Sequence, residues 1–349
     1  MLTDNAAKHP AVDIIVVGAG IAGLWVANIL KRRGFAVLVV EKETIGGGQT
    51  LASQGMIHGG QKYALSADAN AQAQLSATMP ARWQACFDGC GELDLTGVNA
   101  FSEQQVMWPA GGVLADAAVF AAAKVVNTAT RKLKRDEFPE ALTQDTKFKG
   151  PVYGLPEKVL DVRALLTALA RPLKGAILKA AVTEIMPDGQ VAIEQDGHIQ
   201  ALQAQLVVFT AGAGNEDAFR FLRLDAAKFT QRRPLRQVMV KYLDFPLYGH
   251  GVVSAPKPRL TVTAARDGDA GYVWYLGGDI AEKGAGMSDA ETIDFAKAEL
   301  TAVFPAVDWS GKQWATWFGD RAEPANPDGH LPAGPHVHQR GRVLIAWPT

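Results

Sequence analysis

The sequence predicts an α/β fold, and three observations support this prediction. Residues 12–41 read as a buried strand, a glycine-rich turn, a helix and a second buried strand. Residues 229–319 alternate in the manner of antiparallel strands joined by short turns. The chain has 349 residues, of which 48% are hydrophobic and 20% charged, so it is long enough for two domains with sizeable cores.

The first segment combines short apolar strands with a regular set of glycines. Val12–Val17 is apolar and mostly β-branched, as expected for a strand that is buried on both faces. A helix is predicted over Ile21–Arg33, and a second buried strand, Phe35–Val40, ends at Glu41. The glycines between the first strand and the helix form a GxGxxG pattern: Gly18, Gly20 and Gly23.

Each residue of this pattern has a physical role in a dinucleotide site. Gly18 makes the tight turn out of the strand, Gly20 lets the backbone approach a diphosphate, and Gly23 lets the helix pack closely on the sheet. The N-terminus of the helix offers free N–H groups to the diphosphate. Glu41 stands where a carboxylate accepts both ribose hydroxyls and repels a 2′-phosphate. The segment predicts a Rossmann-like domain that binds an adenine dinucleotide, without choosing between NAD and FAD.

The following stretch, GGGQTLASQGMIHGGQKY (Gly46–Tyr63), favours the longer dinucleotide. It is too rich in glycine for a stable helix and too poor in apolar side chains for a core strand. Exposed N–H groups and small hydroxyl residues such as Thr50 and Ser53 suit a second phosphate and a ribityl chain. Gly55 and the glycines after it would let the backbone lie against a flat ring. These features indicate FAD rather than NAD.

The same stretch resembles a known family. The N-terminal fingerprint together with TLASQGMIHGGQKY is similar to the flavin-dependent oxidoreductases of the D-amino-acid oxidase / glycerol-3-phosphate dehydrogenase superfamily. IHGGQKY (Ile57–Tyr63) is close to the IHGGxxY stretch of FAD-dependent glycerol-3-phosphate dehydrogenases and resembles the IHAGxxY stretch of L-2-hydroxyglutarate oxidases. The residues expected to contact FAD are Gly18, Gly20, Ile21, Ala22, Gly23, Glu41, Lys42, Thr50, Ala52, Ser53, Gly55, Val182, Ala211 and Gly212.

Further matches to the family are spread along the chain. VLDVRALLTALA (Val159–Ala170) is similar to the segment in which an Asp caps a helix, and LVVFTAGAGN (Leu206–Asn215) resembles a strand and glycine turn beside the cofactor. GDRAEPANPDGHLPAG (Gly319–Gly334) resembles the GxRPxxPDGxPxxG run. In this family the last strand, Val343–Trp347, leads into a glycine turn and a long helix, so we expect this sequence to be truncated at that end. The alternatives are a partner that supplies the missing group and impaired catalysis.

We predict a discontinuous FAD-binding domain and a discontinuous substrate domain. The first comprises residues 1–80, 151–228 and 320–349, and the second comprises residues 81–150 and 229–319. In the substrate domain, Asp116–Leu133 is predicted to be an amphipathic helix with Asp as its N-cap. RDGDAG (Arg266–Gly271) is predicted to be a hairpin turn, and Ser288–Pro305 a helix with a capping box. A closed, dry pocket for substrate is expected between the two domains.

The resemblance implies oxidation of a C–H bond that bears a hydroxyl or an amine, with hydride transfer to flavin N5. The expected substrate is a small, anionic hydroxy acid, polyol phosphate or amino acid, and the electrons pass on to oxygen, a quinone or a carrier protein. A non-catalytic FAD-binding or redox-sensing protein of the same fold is the alternative. An NAD-dependent enzyme is a third, but it leaves the glycines of residues 46–60 without a purpose.

His58 and Arg321 are the candidate catalytic residues. An imidazole titrates near neutrality, so His58 is suited to accept the substrate's proton. A covalent link to FAD and a structural hydrogen bond are the other readings of His58. Arg321 is suited to hold a carboxylate or phosphate, and a salt bridge with Asp320 or Glu323 is its structural alternative.

Other residues near these two carry weaker predictions. Lys62 and Tyr63 follow His58 and are expected to face the same pocket. His250 is a weaker active-site candidate, because a histidine in a loop such as YGHG is usually solvated.

Charge and cysteine content exclude several classes of function. The net charge is −1, so no general field attracts nucleic acid or anionic lipid. Cys86 and Cys90 are predicted to share one face of a helix as buried or half-buried thiols, and no second pair completes a metal site. The N-terminus lacks the features of a signal peptide, and no segment reads as a membrane span. We therefore expect a soluble, cytoplasmic protein without a metal.

Overall fold

The computed structural model describes residues 12–59, 78–111, 130–255, 257–329, 332 and 334–347. Seven α-helices lie in these ranges: α1 (Ile21–Arg32), α2 (Met79–Phe87), α3 (Glu140–Thr143), α4 (Val162–Ala170), α5 (Asn215–Phe221), α6 (Asp279–Gly284) and α7 (Asp289–Val303).

A mostly parallel sheet, the nucleotide sheet, contains the first strand of the chain. Its order is β18 (His336–Arg340), β19 (Val343–Trp347), β12 (Leu206–Phe209), β1 (Ile14–Val17), β2 (Val37–Glu41) and β8 (Ile177–Lys179). Only the edge strand β18 runs antiparallel to its neighbour. In the central strand β1, Ile15 and Val16 are fully buried on opposite faces of the sheet, which explains the unbroken apolar run in the sequence.

The second main sheet, called here the large sheet, is mixed and has eight strands. Its order is β17 (Gln313–Pro324), β13 (Thr230–Leu243), β16 (Tyr272–Gly277), β15 (Leu260–Arg266), β14 (Gly249–Val252), β4 (Gln105–Pro109), β6 (Tyr153–Leu155) and β5 (Arg131–Lys132). All pairs are antiparallel except β14 and β4. One face packs on α6 and α7 through a core that includes Trp108, Trp274 and Phe304.

Two smaller sheets complete the described strands. One is a meander of β9 (Ala181–Ile185), β10 (Gln190–Gln195) and β11 (His198–Gln203), and the other pairs β3 (Ala100–Ser102) with β7 (Val159–Leu160).

Several predicted local structures are present. Asp161 caps α4 by accepting the N–H groups of Arg163 and Ala164. Ser288 and Glu291 form a capping box at the start of α7. The predicted turn over residues 266–271 joins β15 and β16 as a hairpin.

Other predictions need correction. Cys86 is fully buried in α2, but this helix ends at Phe87, so Cys90 lies beyond it and is exposed. Most of the helix predicted over Asp116–Leu133 lies outside the described residues, and its last residues belong instead to the strand β5. Residues 81–150 are not simply helix-rich, because they also contribute three strands.

The division into domains stays a prediction, but two strands do not fit the predicted boundaries. β6 belongs to the large sheet although residues 151–228 were assigned to the FAD-binding domain. β17 begins before residue 320 and ends after it. Strand β17 contacts both β13 and the turn at residues 212–214. Because this turn follows β12, β17 connects the large sheet to the nucleotide sheet.

Candidate active site

The glycine turn and the end of β12 pack against each other at the carboxyl edge of the nucleotide sheet. Gly18 has a φ of +100°, and a Cβ at this position would lie 2.8 Å from Ala211 Cα. A Cβ on Gly23 would lie 1.9 Å from Gly18 O and 2.7 Å from Thr210 Oγ1. Both glycines are therefore required by close backbone approach. The structure brings Gly18 and Gly23 together with Ala211, as a site around the start of α1 requires.

The loop after β2 lies over the N-terminus of α1. Thr50 Oγ1 accepts the N–H of Ile21 at 3.1 Å and lies 3.2 Å from where a Cβ of Gly20 would be. Gln49 Oε1 lies 3.2 Å from the corresponding position of Gly212. The start of a helix leaves N–H groups without partners inside the helix. The arrangement is chemically suited to an anionic diphosphate.

Glu41 is the last residue of β2, and its carboxylate is hydrogen-bonded to the glycine turn between β1 and α1. Its Oε2 accepts the N–H of Ala19 at 2.8 Å, and its Oε1 accepts the N–H of Glu43 at 3.0 Å. The backbone carbonyl of Glu41 accepts the N–H of Ala180 at 3.0 Å. That contact brings the start of β9, with Val182, near the same edge of the sheet.

The remaining predicted FAD contacts lie around this edge. Lys42 is exposed and lies 4.0 Å from the carboxylate of Glu43. Ser53 Oγ donates to Thr50 O at 2.8 Å, and Ala52 lies between them in the chain. Ala22 stands in the first turn of α1. A Cβ on Gly55 would lie 2.5 Å from Leu160 O, so the close approach of β7 requires glycine there.

The segment that carries His58 runs between β7 and the large sheet. Ile57 N–H donates to Lys158 O at 3.0 Å, and Leu160 N–H donates to Gly55 O at 2.8 Å. Just before it, Gln54 Nε2 donates to Tyr275 O on β16 at 2.9 Å. The predicted neighbours Lys62 and Tyr63 lie outside the described residues.

His58 lies against a second histidine, His250, on β14. The centroids of the two rings are 5.6 Å apart and their planes are inclined by 39°. His250 is only 3% exposed, so the expectation of a solvated loop histidine is wrong. Its Nδ1 lies 3.0 Å from Thr261 Oγ1 on β15, and its Nε2 lies 3.2 Å from Gln105 Oε1 on β4.

The glycines beside His250 explain why the sequence was misread. A Cβ on Gly249 would lie 1.9 Å from Val106 O, and one on Gly251 would lie 2.9 Å from Ala110 Cβ. Glycine inside a strand often marks close approach of another backbone, and here that backbone belongs to β4 and its continuation. This signal was available in YGHG, whereas nothing in the sequence indicated Gln105 as the partner of His250.

Arg321 lies on the edge strand β17, separated from β14 by β13, β16 and β15. Four strand spacings of about 4.8 Å put its backbone about 19 Å from that of His250 across the sheet. Its guanidinium reaches Glu282 on α6, with both terminal nitrogens 3.4 Å from Oε1. The expected alternatives are not its partners in the structure, because Asp320 pairs with Arg232 and Glu323 with Arg233.

The surroundings of Arg321 are rich in positive charge. Arg233 contacts Glu323 through two hydrogen bonds of 2.6 and 2.7 Å, and Lys257 pairs with Glu282. Burial and then the like charge of Arg233 lower the pKa of Arg321. Burial raises the pKa of Glu282, but Lys257, Arg321 and Arg233 together outweigh burial and hold the pKa of this carboxyl below its ordinary value. Arg321, Arg233 and Lys257 therefore lie close to the carboxylates of Glu282 and Glu323.

Comparison with known proteins settles the family. The family model described as "FAD dependent oxidoreductase" matches residues 13–346. The chain belongs to the FAD-dependent oxidoreductase family. Its cofactor is therefore FAD, and the resemblance found in the sequence is confirmed. A "Probable FAD-dependent oxidoreductase" of Pseudomonas aeruginosa is 42% identical over 341 residues, which cover 97% of this chain and 86% of the relative.

Solved structures of family members share the fold. The crystal structure of an FAD-dependent oxidoreductase from Pseudomonas aeruginosa has a TM-score of 0.80 at 38% identity, covering 98% of this chain and 87% of that one. Glycine oxidase from Geobacillus kaustophilus has a TM-score of 0.67 at 17% identity, covering 97% and 89%. L-α-glycerophosphate oxidase from Mycoplasma pneumoniae, solved with FAD bound, has a TM-score of 0.67 at 13% identity, again covering 97% and 89%. The chain is an oxidoreductase of this α/β fold.

Two features are missing from the part of the chain that the structure describes. None of its helices is both long and apolar enough to cross a bilayer. The same residues hold no cluster of three or more histidine, cysteine or acidic side chains that would bind a metal ion.

Proposed function

We propose that this oxidoreductase removes a hydride from a small anionic substrate, a hydroxy acid, polyol phosphate or amino acid, at a site next to His58. The observation that carries the proposal is the placement of His58. Its segment follows the loop over the N-terminus of α1, contacts the large sheet through Gln54, and ends beside the buried His250. A ring placed along this segment would lie between the nucleotide sheet and the large sheet. Small-molecule sites form preferentially at such interfaces between domains.

The glycine turn supports the proposed position of the cofactor. The close approach of Gly18 to Ala211 and the positive dipole end of α1 fit the diphosphate of FAD. Glu41 would accept the ribose hydroxyls, and Thr50 and Ser53 would line the path of the ribityl chain. Bound FAD supplies an acceptor for a hydride at flavin N5.

His58 is proposed to take the proton of the substrate's hydroxyl or amine as the C–H bond is broken. A histidine changes charge near neutral pH, so it can accept this proton without a large perturbation. The ring of His58 contacts His250, which is itself hydrogen-bonded to Gln105 and Thr261 on the same face of the large sheet. Such fixed dipoles support charge transfer in a site from which water is excluded.

Arg321 is proposed to attract the carboxylate or phosphate of the substrate from the edge strand β17, since its backbone lies about 19 Å across the sheet from that of His250. The bonds of Arg321 to Glu282 are long at 3.4 Å, and the cations Arg233 and Lys257 lie nearby. A guanidinium binds carboxylate and phosphate oxygens in pairs, so an anion would be held there through two hydrogen bonds. The substrates in the names of the two oxidases of similar fold are a small amino acid and a phosphate ester, which agrees with an anionic substrate.

The electrons would then pass to oxygen, a quinone or a carrier protein. The cytoplasmic location of the protein stays a prediction. The proposal is tested by mixing the FAD-loaded protein anaerobically with glycerol 3-phosphate, 2-hydroxyglutarate and a set of amino acids. Loss of the flavin absorption band with at least one of them is expected. A flavin that dithionite reduces but none of these compounds does would favour a non-catalytic FAD-binding or redox-sensing protein.

A further inference from the structure

Buried hydrogen bonds define which nitrogen of His250 carries hydrogen. Gln105 is fully buried, and its Nε2 donates to Ile57 O at 2.8 Å, so its Oε1 is the end that faces His250. An amide oxygen only accepts, and therefore His250 donates from Nε2. The Nδ1 of a neutral His250 then accepts from the hydroxyl of Thr261 at 3.0 Å. The chain of bonds runs from Thr261 through His250 and Gln105 to Ile57.

Both peptides next to His58 are held by buried side chains. On one side, Gln105 binds the carbonyl of Ile57. On the other side, Gly59 N–H donates to Glu157 Oε1 at 2.6 Å, and Glu157 is only 3% exposed. The ring of His250 then lies beside the ring of His58. Gln105 therefore connects the backbone of the His58 segment to His250, the ring neighbour of His58.

We propose that Gln105 and His250 are positioning residues for His58, an inference that rests on the role proposed for His58 above. Gln105 fixes the carbonyl before His58 and, through the same amide, the tilt of the His250 ring that the His58 ring packs against. Each polar atom of this chain is away from water, so breaking one bond leaves its partner unsatisfied at a substantial cost. The chain therefore favours a single orientation of the His58 side chain.

The strand arrangement explains why these residues meet. β4 and β14 are the only parallel neighbours in the large sheet, and His250 is in register with Met107, two residues beyond Gln105. Gln105 and Met107 point to the same face by alternation, which is the face turned to the His58 segment. Catalytic groups need placement within fractions of an ångström, and a displacement of about 1 Å can cost about 100-fold in rate.

The test uses three variants of the FAD-loaded protein. Gln105→Leu removes both bonds of the amide. Thr261→Val keeps a β-branched side chain on β15 but removes the hydroxyl that donates to His250 Nδ1. This variant replaces Gln105→Leu in the test if Gln105→Leu folds poorly. Gln203→Leu is the matched control, because Gln203 Nε2 also donates to two backbone carbonyls, those of Asp188 and Ala204, but in the β9–β11 meander.

The first readout is the ¹⁵N and ¹H spectrum of the imidazoles in ¹⁵N-histidine-labelled protein, which contains seven histidines. Wild type is expected to show His250 with hydrogen on Nε2. In Gln105→Leu, and to a smaller extent in Thr261→Val, the signals of both His250 and His58 are expected to shift, while Gln203→Leu matches wild type. Unchanged His58 signals in both active-site variants would overturn the proposal.

The second readout is anaerobic flavin reduction across pH with a compound that reduces the wild-type protein. We expect Gln105→Leu to reduce the rate at least tenfold and to displace its pH profile, with the Kd for FAD within threefold of wild type. If the His58 signals shift but no compound reduces the wild-type flavin, the proposed function fails and the positioning role stands. If the wild type is reduced and Gln105→Leu is equally fast, the positioning role fails alone.

Discussion

Substitution of Gly23 by Ala tests the packing of α1 on the nucleotide sheet. The added Cβ would lie 1.9 Å from Gly18 O, whereas contacts below 3.0 Å essentially never occur for real Cβ atoms. The helix must therefore move away from the turn by about 1.1 Å, the difference between these two distances. The obstacle is backbone, so rotation of a flexible side chain does not relieve it.

The expected cost follows from two opposing effects. Forcing an extra carbon into a packed region costs about 1–3 kcal/mol, and Ala regains about 1 kcal/mol over Gly in a helix interior. Because the obstacle is backbone, we take the upper end of the strain cost, about 3 kcal/mol, so the net loss is about 2 kcal/mol and lowers Tm by about 4–8 °C. The same movement displaces the N–H groups of the first turn, so the Kd for added FAD is expected to rise at least tenfold.

Thermal unfolding and a fluorescence titration with FAD measure the two effects. Gly286→Ala is the control, because a Cβ there would find its nearest neighbour at 3.8 Å and φ is not positive. If Gly23→Ala matched Gly286→Ala in both Tm and Kd, the explanation given for the glycine pattern would be refuted.

Two further predictions concern the charged group at Arg321. Arg321→Met should raise KM for the reducing substrate at least tenfold without changing the flavin spectrum, and an unchanged KM in steady-state assays would remove Arg321 from the substrate site. The folded-state pKa of Glu282 lies below its unfolded value, so its stabilisation is present above pH 4.5 and lost as pH falls through the lower pKa. Glu282→Gln should therefore flatten the dependence of the unfolding free energy on pH between about 5 and 3 in denaturant titrations, and an unaltered slope would contradict the pairing with Lys257.

Local patterns in the sequence were sufficient to predict the first strand–helix–strand of the nucleotide sheet and several helix ends. The glycine turn, α1 and β2 were predicted because each depends on neighbours within about one supersecondary unit. The caps of α4 and α7 were predicted because Asp161, and Ser288 with Glu291, satisfy the N–H groups of their own helices.

The candidate site was only partly predictable, because its other partners come from distant segments. Gln105 and His250 are 145 residues apart, and no local pattern indicates their contact. His250 was assigned to a loop since its flanking glycines resemble a turn, although they permit close approach of β4. The pairing of Arg321 with Glu282 rather than its sequence neighbours is likewise set by the placement of α6 next to β13.

The role of His58 is the central claim, and the rate of flavin reduction tests it most directly. The measurement is anaerobic stopped-flow reduction of FAD-loaded His58→Asn by the compound that reduces the wild-type protein, with the exposed His198→Asn as the matched control. A loss of about 100-fold or more in His58→Asn, within the usual range for a lost general base, together with an unchanged control, is the expected result. A wild-type rate in His58→Asn would contradict the account.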